Sequence, residues 1–170
     1  MSNRSENFVN YIIKKVQESK ADSAALCRAD NSQTEYQSWD ILAVFGVNLE
    51  KEFERLPFAI VSASIARSKS KFNGKTSIGR AIAECYSEDN SSNQAKAKLG
   101  RLLACDSTEE ACLILRQFLR LIESKSNLTL NYVKLLDDLL WFNHEESRQK
   151  IKASWAQNFY HKKIKETNNE

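Results

Sequence analysis

The sequence predicts an all-α protein, a helical bundle of about eight or nine helices arranged as two small lobes. Three observations predict it. Only four Gly and one Pro occur in 170 residues, too few for a turn-rich all-β chain or a disordered one. The residue mix favours Ala, Leu, Lys, Glu, Ser and Gln, which lose little on entering a helix. Apolar residues recur at i, i+4, i+8 spacing, the mark of a helix with one buried face. Hydrophobic residues make up 42% of the chain, enough to bury a core in one domain of this length.

Each element follows in order. Phe8, Ile12 and Val16, with Val9 and Ile13 beside them, stripe a first helix over residues 5–19. Residues 23–28 suit a short second helix capped by Asp22 or Ser23. Tyr36, Trp39, Leu42, Ala43 and Phe45 form the next stripe, stopped near Gly46. Pro57 belongs in the first turn of a helix, because its missing N–H is harmless there. The segment FAIVSASIA that follows is apolar nearly all round, so it should be the most buried helix of this half. A loop spans about Ser68 to Lys75, expected to be mobile until it meets its ligand. Thr76 or Ser77 can then cap the helix IGRAIAECY.

The polar segment SEDNSSN at 87–93 divides the chain into lobes 1–88 and 94–170. QAKAKLGRLLAC resumes helix, and Ser107 with Glu110 makes a capping box that opens a helix to about Ser124. Leu130, Val133, Leu136 and Leu140 mark another face. Asn143 with Glu146 can cap a last helix whose buried residues are Ile151, Trp155 and Phe159. Its acids lie at the start and its lysines at the end, as the helix dipole favours.

Chemistry is mostly excluded. Cys27, Cys85, Cys105 and Cys112 are irregularly spaced without a CxxC pair, so buried free thiols in a reducing compartment are expected. Gly74-Lys75-Thr76 resembles the end of a phosphate-binding P-loop, but that motif needs Gly at position 69, where Lys stands, and a preceding strand. His144 and His161 are far apart, and Asp137 and Asp138 point about 100° apart on a helix. No catalytic constellation, metal site or cofactor is expected. The N-terminus lacks a charged-then-apolar signal pattern, and no apolar run reaches the ~18 residues of a membrane span, so a soluble, cytoplasmic protein is expected.

Charge distribution says more than its total of +3. Residues 1–54, 55–105, 106–146 and 147–170 carry −3, +6, −4 and +4. From Arg55 to Ala83 there are six basic residues and no acid. A merely solvated surface would mix its signs, whereas an acid-free window repels itself unless an anion relieves it. Arg67, Lys69, Lys71 and Lys75 interleave with Ser68, Ser70, Asn73 and Thr76, which can donate to phosphate oxygens. Like-charged pairs on single helix faces repeat the theme: Lys98 with Arg101, Arg116 with Arg120, and Arg148 with Lys152. Trp141 and Phe142 could stack bases, although a core role suits aromatics at helix ends.

Several segments in their order resemble the CasB-type small subunit of Cascade, the type I-E CRISPR interference complex. They are AALCR at 24–28, SIGRAIA at 77–83, KLGRLLACDS at 98–107, LRQFLR at 115–120 and LLWFNHEESRQKIKASWAQNFY at 139–160. The resemblance implies an all-helical, non-catalytic subunit that self-associates as a stacked dimer. Its partners would be other Cascade subunits, CRISPR RNA and target DNA, with no membrane. It would hold the target strand and the displaced strand of the R-loop through basic residues. The family's basic positions match at Arg28, Arg80, Arg116 and Arg148. Lys98 and Arg101 fall in a comparable basic segment, and the 67–75 loop matches in position and charge. RNA-guided targeting suits such a surface, because base pairing reads sequence and the protein need only hold backbone. The competing expectation is a helical adaptor whose basic faces meet acidic protein partners.

Overall fold

A computed structural model describes residues 3–86, 92–125 and 127–167, with side chains to residue 161 except that of Ser92. The described residues form nine α-helices, one 3-10 turn and no strand. The helices are α1 Arg4–Glu18, α2 Lys20–Cys27, α3 Trp39–Phe45, α4 Glu52–Ser68, α5 Ile78–Cys85, α6 Ser92–Leu103, α7 Thr108–Lys125, α8 Tyr132–Trp141 and α9 Glu145–Thr167. The 3-10 turn Glu35–Ser38 leads into α3. The all-α expectation holds.

Helix α4 is the axis of the bundle. All ten residues from Pro57 to Ala66 are buried, as a segment apolar on every side requires. It packs against α1, α2, α7 and α8, while α5 lies along α9. One continuous core therefore draws residues from both parts of the chain. Phe8 packs edge-on against Phe58, with ring centroids 4.6 Å apart, and Phe142 stacks on Trp155 at 5.5 Å. The boundary expected at 87–93 lies mostly outside the described residues, and α6 begins at Ser92.

Local corrections have physical causes. Pro57 is the sixth residue of α4, not in its first turn. Arg55 anchors the turn before it, donating to Leu49 O at 2.7 Å and to Glu35 at 3.2 Å. α2 starts at Lys20, capped by Ser19 accepting from Asp22 N, rather than by Asp22 or Ser23. Asn143 does not serve α9; its Oδ1 accepts from Thr108 N at 2.8 Å and so caps α7 from a distance. Ser107 Oγ accepts from Glu110 N at 3.2 Å as a capping box requires, but the Glu110 carboxylate reaches one residue further back and accepts from Asp106 N at 3.0 Å. The buried face of α8 is Tyr132, Leu135, Leu136 and Leu139, one step from the expected stripe, because Leu130 precedes the helix.

Two glycines set backbone spacings. A Cβ at Gly79 would stand 2.3 Å from Trp155 O, so only Gly lets α5 lie this close to α9. A Cβ at Gly74 would stand 1.9 Å from Thr129 O, where the loop meets the segment before α8. There Gly74 N donates to Leu130 O, Asn131 N donates to Thr76 O, and Asn73 bridges Asn131 and Val133. The loop expected to be mobile is pinned by these bonds along its second half.

Candidate nucleic-acid interface

α2 ends at Cys27, and three residues later Asp30 buries its carboxylate, leaving the side chain 1% exposed. Three arginines converge on it. Arg67, at the end of α4, lies 2.8 Å away; Arg120 and Arg116, on α7, lie 3.4 and 3.7 Å away. Arg67 also grips Glu123 with two bonds, at 2.7 and 3.2 Å, and donates to Cys27 O. Burial works against the Arg67 charge, but its hydrogen bonds and charge contacts with Glu123 and Asp30 outweigh that and raise its pKa. Arg28 stands two residues from Asp30, exposed, donating to Gln37 at 3.2 Å. This hub explains the like-charged pair on α7: Arg116 and Arg120 share a counter-ion, Asp30, from the turn after α2. Three cations against two carboxylates still leave one positive charge in excess.

Arg67 is thus built into the protein rather than presented by the loop. The next residues differ. Lys69 sits in the left-handed region, φ 52°, and closes α4 in a Schellman turn, with Ser70 N donating to Ile65 O and Lys69 N to Ala66 O. Lys69, Lys71 and Lys75 are exposed, and no described residue forms an ion pair with them. Lys69 and Lys71 line one cleft with Arg67 and Glu123, so the open lysine row begins directly beside the arginine hub and runs on to Lys75.

The remaining sequence-predicted residues lie elsewhere. Ser77 caps α5 by accepting from Arg80 N, and the Arg80 side chain is 55% exposed, 4.0 Å from Glu84. Lys98 and Arg101 are exposed on α6, where Lys98 donates to Tyr86 OH at 3.0 Å. Lys152 lies 3.7 Å from Asp106 and over the Phe142 ring. Arg148 reaches the carbonyls of Phe142 and Asn143, both at 3.4 Å. These last two flank the start of α7, whereas Arg116 and Arg120 lie roughly 12 and 18 Å along it. Phe142 belongs to the core, and Trp141 is 57% exposed beside His144.

Sequence reasoning missed Asp30 and Glu123, which organise the hub, because their importance rests on contacts 37 to 90 positions apart in the chain. It also missed Phe72, which is 64% exposed between the lysines. An aromatic inside a basic run was a usable signal for it. No cluster of His, Cys, Asp or Glu among the described residues could hold a metal, and no described helix is long and apolar enough to cross a membrane.

Among the described residues the protein is a strand-free helical bundle, with the Arg67, Arg116 and Arg120 hub and the exposed Lys69 at the C-terminal end of α4. Residues 22–160 match the family model of CRISPR-associated protein Cse2, and the chain belongs to that family. The fold is similar to that of CasB from M. ruber, with TM-score 0.75 and 25% identity over 99% of this chain and 98% of that one. It is similar to CasB from Thermus thermophilus at TM-score 0.71 and 22% identity, over 95% and 99% of the two chains. A chain of a CRISPR RNA-guided surveillance complex shares the fold at TM-score 0.70 and 15% identity, over 98% of this chain and 95% of that one. A sequence search among curated proteins found no significant match.

Proposed function

We propose that this chain is a non-catalytic small subunit of a CRISPR RNA-guided surveillance complex, acting in antiviral defence in the cytoplasm. It binds nucleic-acid backbone and stabilises target DNA and the displaced strand of the R-loop. Its partners are the other subunits, CRISPR RNA and a second copy of itself stacked beside it. Family membership supports the setting. The observation that carries the binding role is the lysine row Lys69, Lys71 and Lys75, exposed beside an arginine hub with one positive charge in excess. Such a surface attracts phosphates and has no base-reading code of its own, which suits a complex whose guide reads sequence.

The test is target-DNA affinity of the reconstituted complex across a range of salt. Replacing Lys69, Lys71 and Lys75 with Ala should weaken binding and flatten the dependence of log K on log salt by about 2 to 3, one phosphate contact per lysine. An unchanged slope and R-loop lifetime would overturn the role of the row. Loss of subunit assembly with nucleic-acid contact intact would instead favour an adaptor with acidic protein partners.

A further inference from the structure

Beyond Arg67, the lysine loop walls a cleft of about 440 Å³, completed by the ends of α4 and α7 and by residues 127–130. Its chemistry is mixed in an ordered way. Inside is a row of hydroxyls: Ser68 Oγ and Ser70 Oγ are 2.8 Å apart, and Tyr132 OH lies 2.9 and 3.2 Å from them. Ser64 also lines the cleft, is fully buried, and its Oγ has no hydrogen-bond partner. Its neighbours on α4 behave otherwise, since Ser62 donates to Phe58 O and Ser68 to Ser64 O, both at 2.7 Å. The Ser64 hydroxyl is itself closed to solvent, so the hydroxyls within reach of an incoming group are those of exposed Ser68 and half-buried Ser70.

The mouth carries a second kind of chemistry. Lys69 and Lys71 stand there without an ion-pair partner among the described residues. Phe72 and Leu128 line the same opening and are 64% and 38% exposed. The one acid of the cleft, Glu123, is held by Arg67 and so repels an incoming anion little. A free phosphate has no use for Phe72, and a duplex keeps its bases stacked away from such a side chain. Single-stranded nucleic acid offers phosphates and open base faces together, and aromatic side chains stack on those faces whatever the sequence.

We propose that this cleft seats one nucleotide of a single strand. Its phosphate lies at Lys69 and Lys71, its base lies against Phe72 and Leu128, and its sugar and polar edge face the hydroxyl row. This deepens the function proposed above and rests on it. It adds that the site selects a single strand over a duplex and that Phe72 makes the selection.

The experiment uses the full chain and fluorescence anisotropy with three probes of equal length: oligothymidylate, an abasic oligonucleotide and a duplex. The parent should bind oligothymidylate about tenfold tighter than the abasic strand, the size of one stacked base. Phe72→Ala should remove that preference and leave abasic and duplex binding as they were, and Phe72→Trp should restore it. Lys69→Ala with Lys71→Ala should weaken all three probes and lower their salt dependence. Equal losses on oligothymidylate and abasic strands, or no loss from Phe72→Ala, overturn the nucleotide seat alone. A parent that binds no nucleic acid, alone or in the reconstituted complex, overturns the general function with it. A Phe72→Ala chain that binds DNA normally but fails to assemble with its protein partners overturns the seat and assigns Phe72 to a protein contact.

Discussion

The arginine hub and the lysine row lie side by side, and both come from basic stretches of sequence, yet they do opposite things with their charge. At the hub, Asp30 from the turn after α2 meets Arg67, Arg116 and Arg120, and Glu123 from α7 meets Arg67, at 2.7 to 3.7 Å. At the row, Lys69, Lys71 and Lys75 face solvent without an acid among the described residues. The difference teaches that an acid-free window in sequence is not an acid-free surface. Of its six cations, Arg55, Arg67 and Arg80 are met by acids, Glu84 just outside the window and the rest more distant, and only the lysines stay open. The residue types fit the roles. Arg has a planar fork that serves two carboxylates at once, and Lys is a hydrated point charge on a flexible stem.

The sharpest way to break this comparison is Asp30→Ala. It leaves Arg116 and Arg120 without their shared acid and Arg67 with Glu123 alone, around a buried hole, and unfolding in urea should show a loss of about 3 to 5 kcal/mol. A loss below about 1 kcal/mol would mean that water screens the hub and that its arginines are as open as the lysines. Gly74→Ala comes next. Its Cβ would collide with Thr129 O, so the loop must move or strain, at about 1 to 3 kcal/mol. Weaker DNA binding beyond that loss of stability would show that the pin aims the lysines.

Asp138 offers a control, a buried acid without arginines, facing Lys134, Trp155 Nε1 and Asp137. Burial raises its pKa above the ordinary 3.8, although bonds from Lys134 and Trp155 pull the other way. A raised carboxylate favours folding fully below pH 3.8 and loses that contribution as pH climbs through the folded value. Asp138→Asn should therefore gain stability relative to the parent as pH rises above 3.8, read from paired urea titrations. A flat difference would show that Lys134 compensates the charge entirely. The smallest effect on stability belongs to the row. Lys69→Ala, Lys71→Ala and Lys75→Ala should each stay within about 0.5 kcal/mol of the parent in thermal unfolding. A larger loss would make them structural like the hub.

Much of the fold was legible because helical phase is a local property. The stripes Phe8–Ile12 and Ile151–Trp155–Phe159 are buried as their spacing requires, and Ser77 caps α5 where its sequence position suggests. The misread points depend on distant partners. Asn143 caps α7 across the fold, and Pro57 sits inside α4 behind a turn held by Glu35. The site follows the same division. That Lys69, Lys71 and Lys75 form a basic loop could be read directly, whereas the neutralisation of Arg67 could not.

By itself, then, the sequence determined the helices, the buried segment at the centre of α4, the basic loop and the family likeness. These rest on periodicity, composition and residue order, all carried by neighbours along the chain. Only the tertiary structure decided which cations stay available, because a charge is neutralised by whatever lies within a few ångströms of it. It brought Asp30 and Glu123 to Arg67, left the lysines beyond reach of any described acid, and placed Phe72 and the unpaired Ser64 hydroxyl on one cleft.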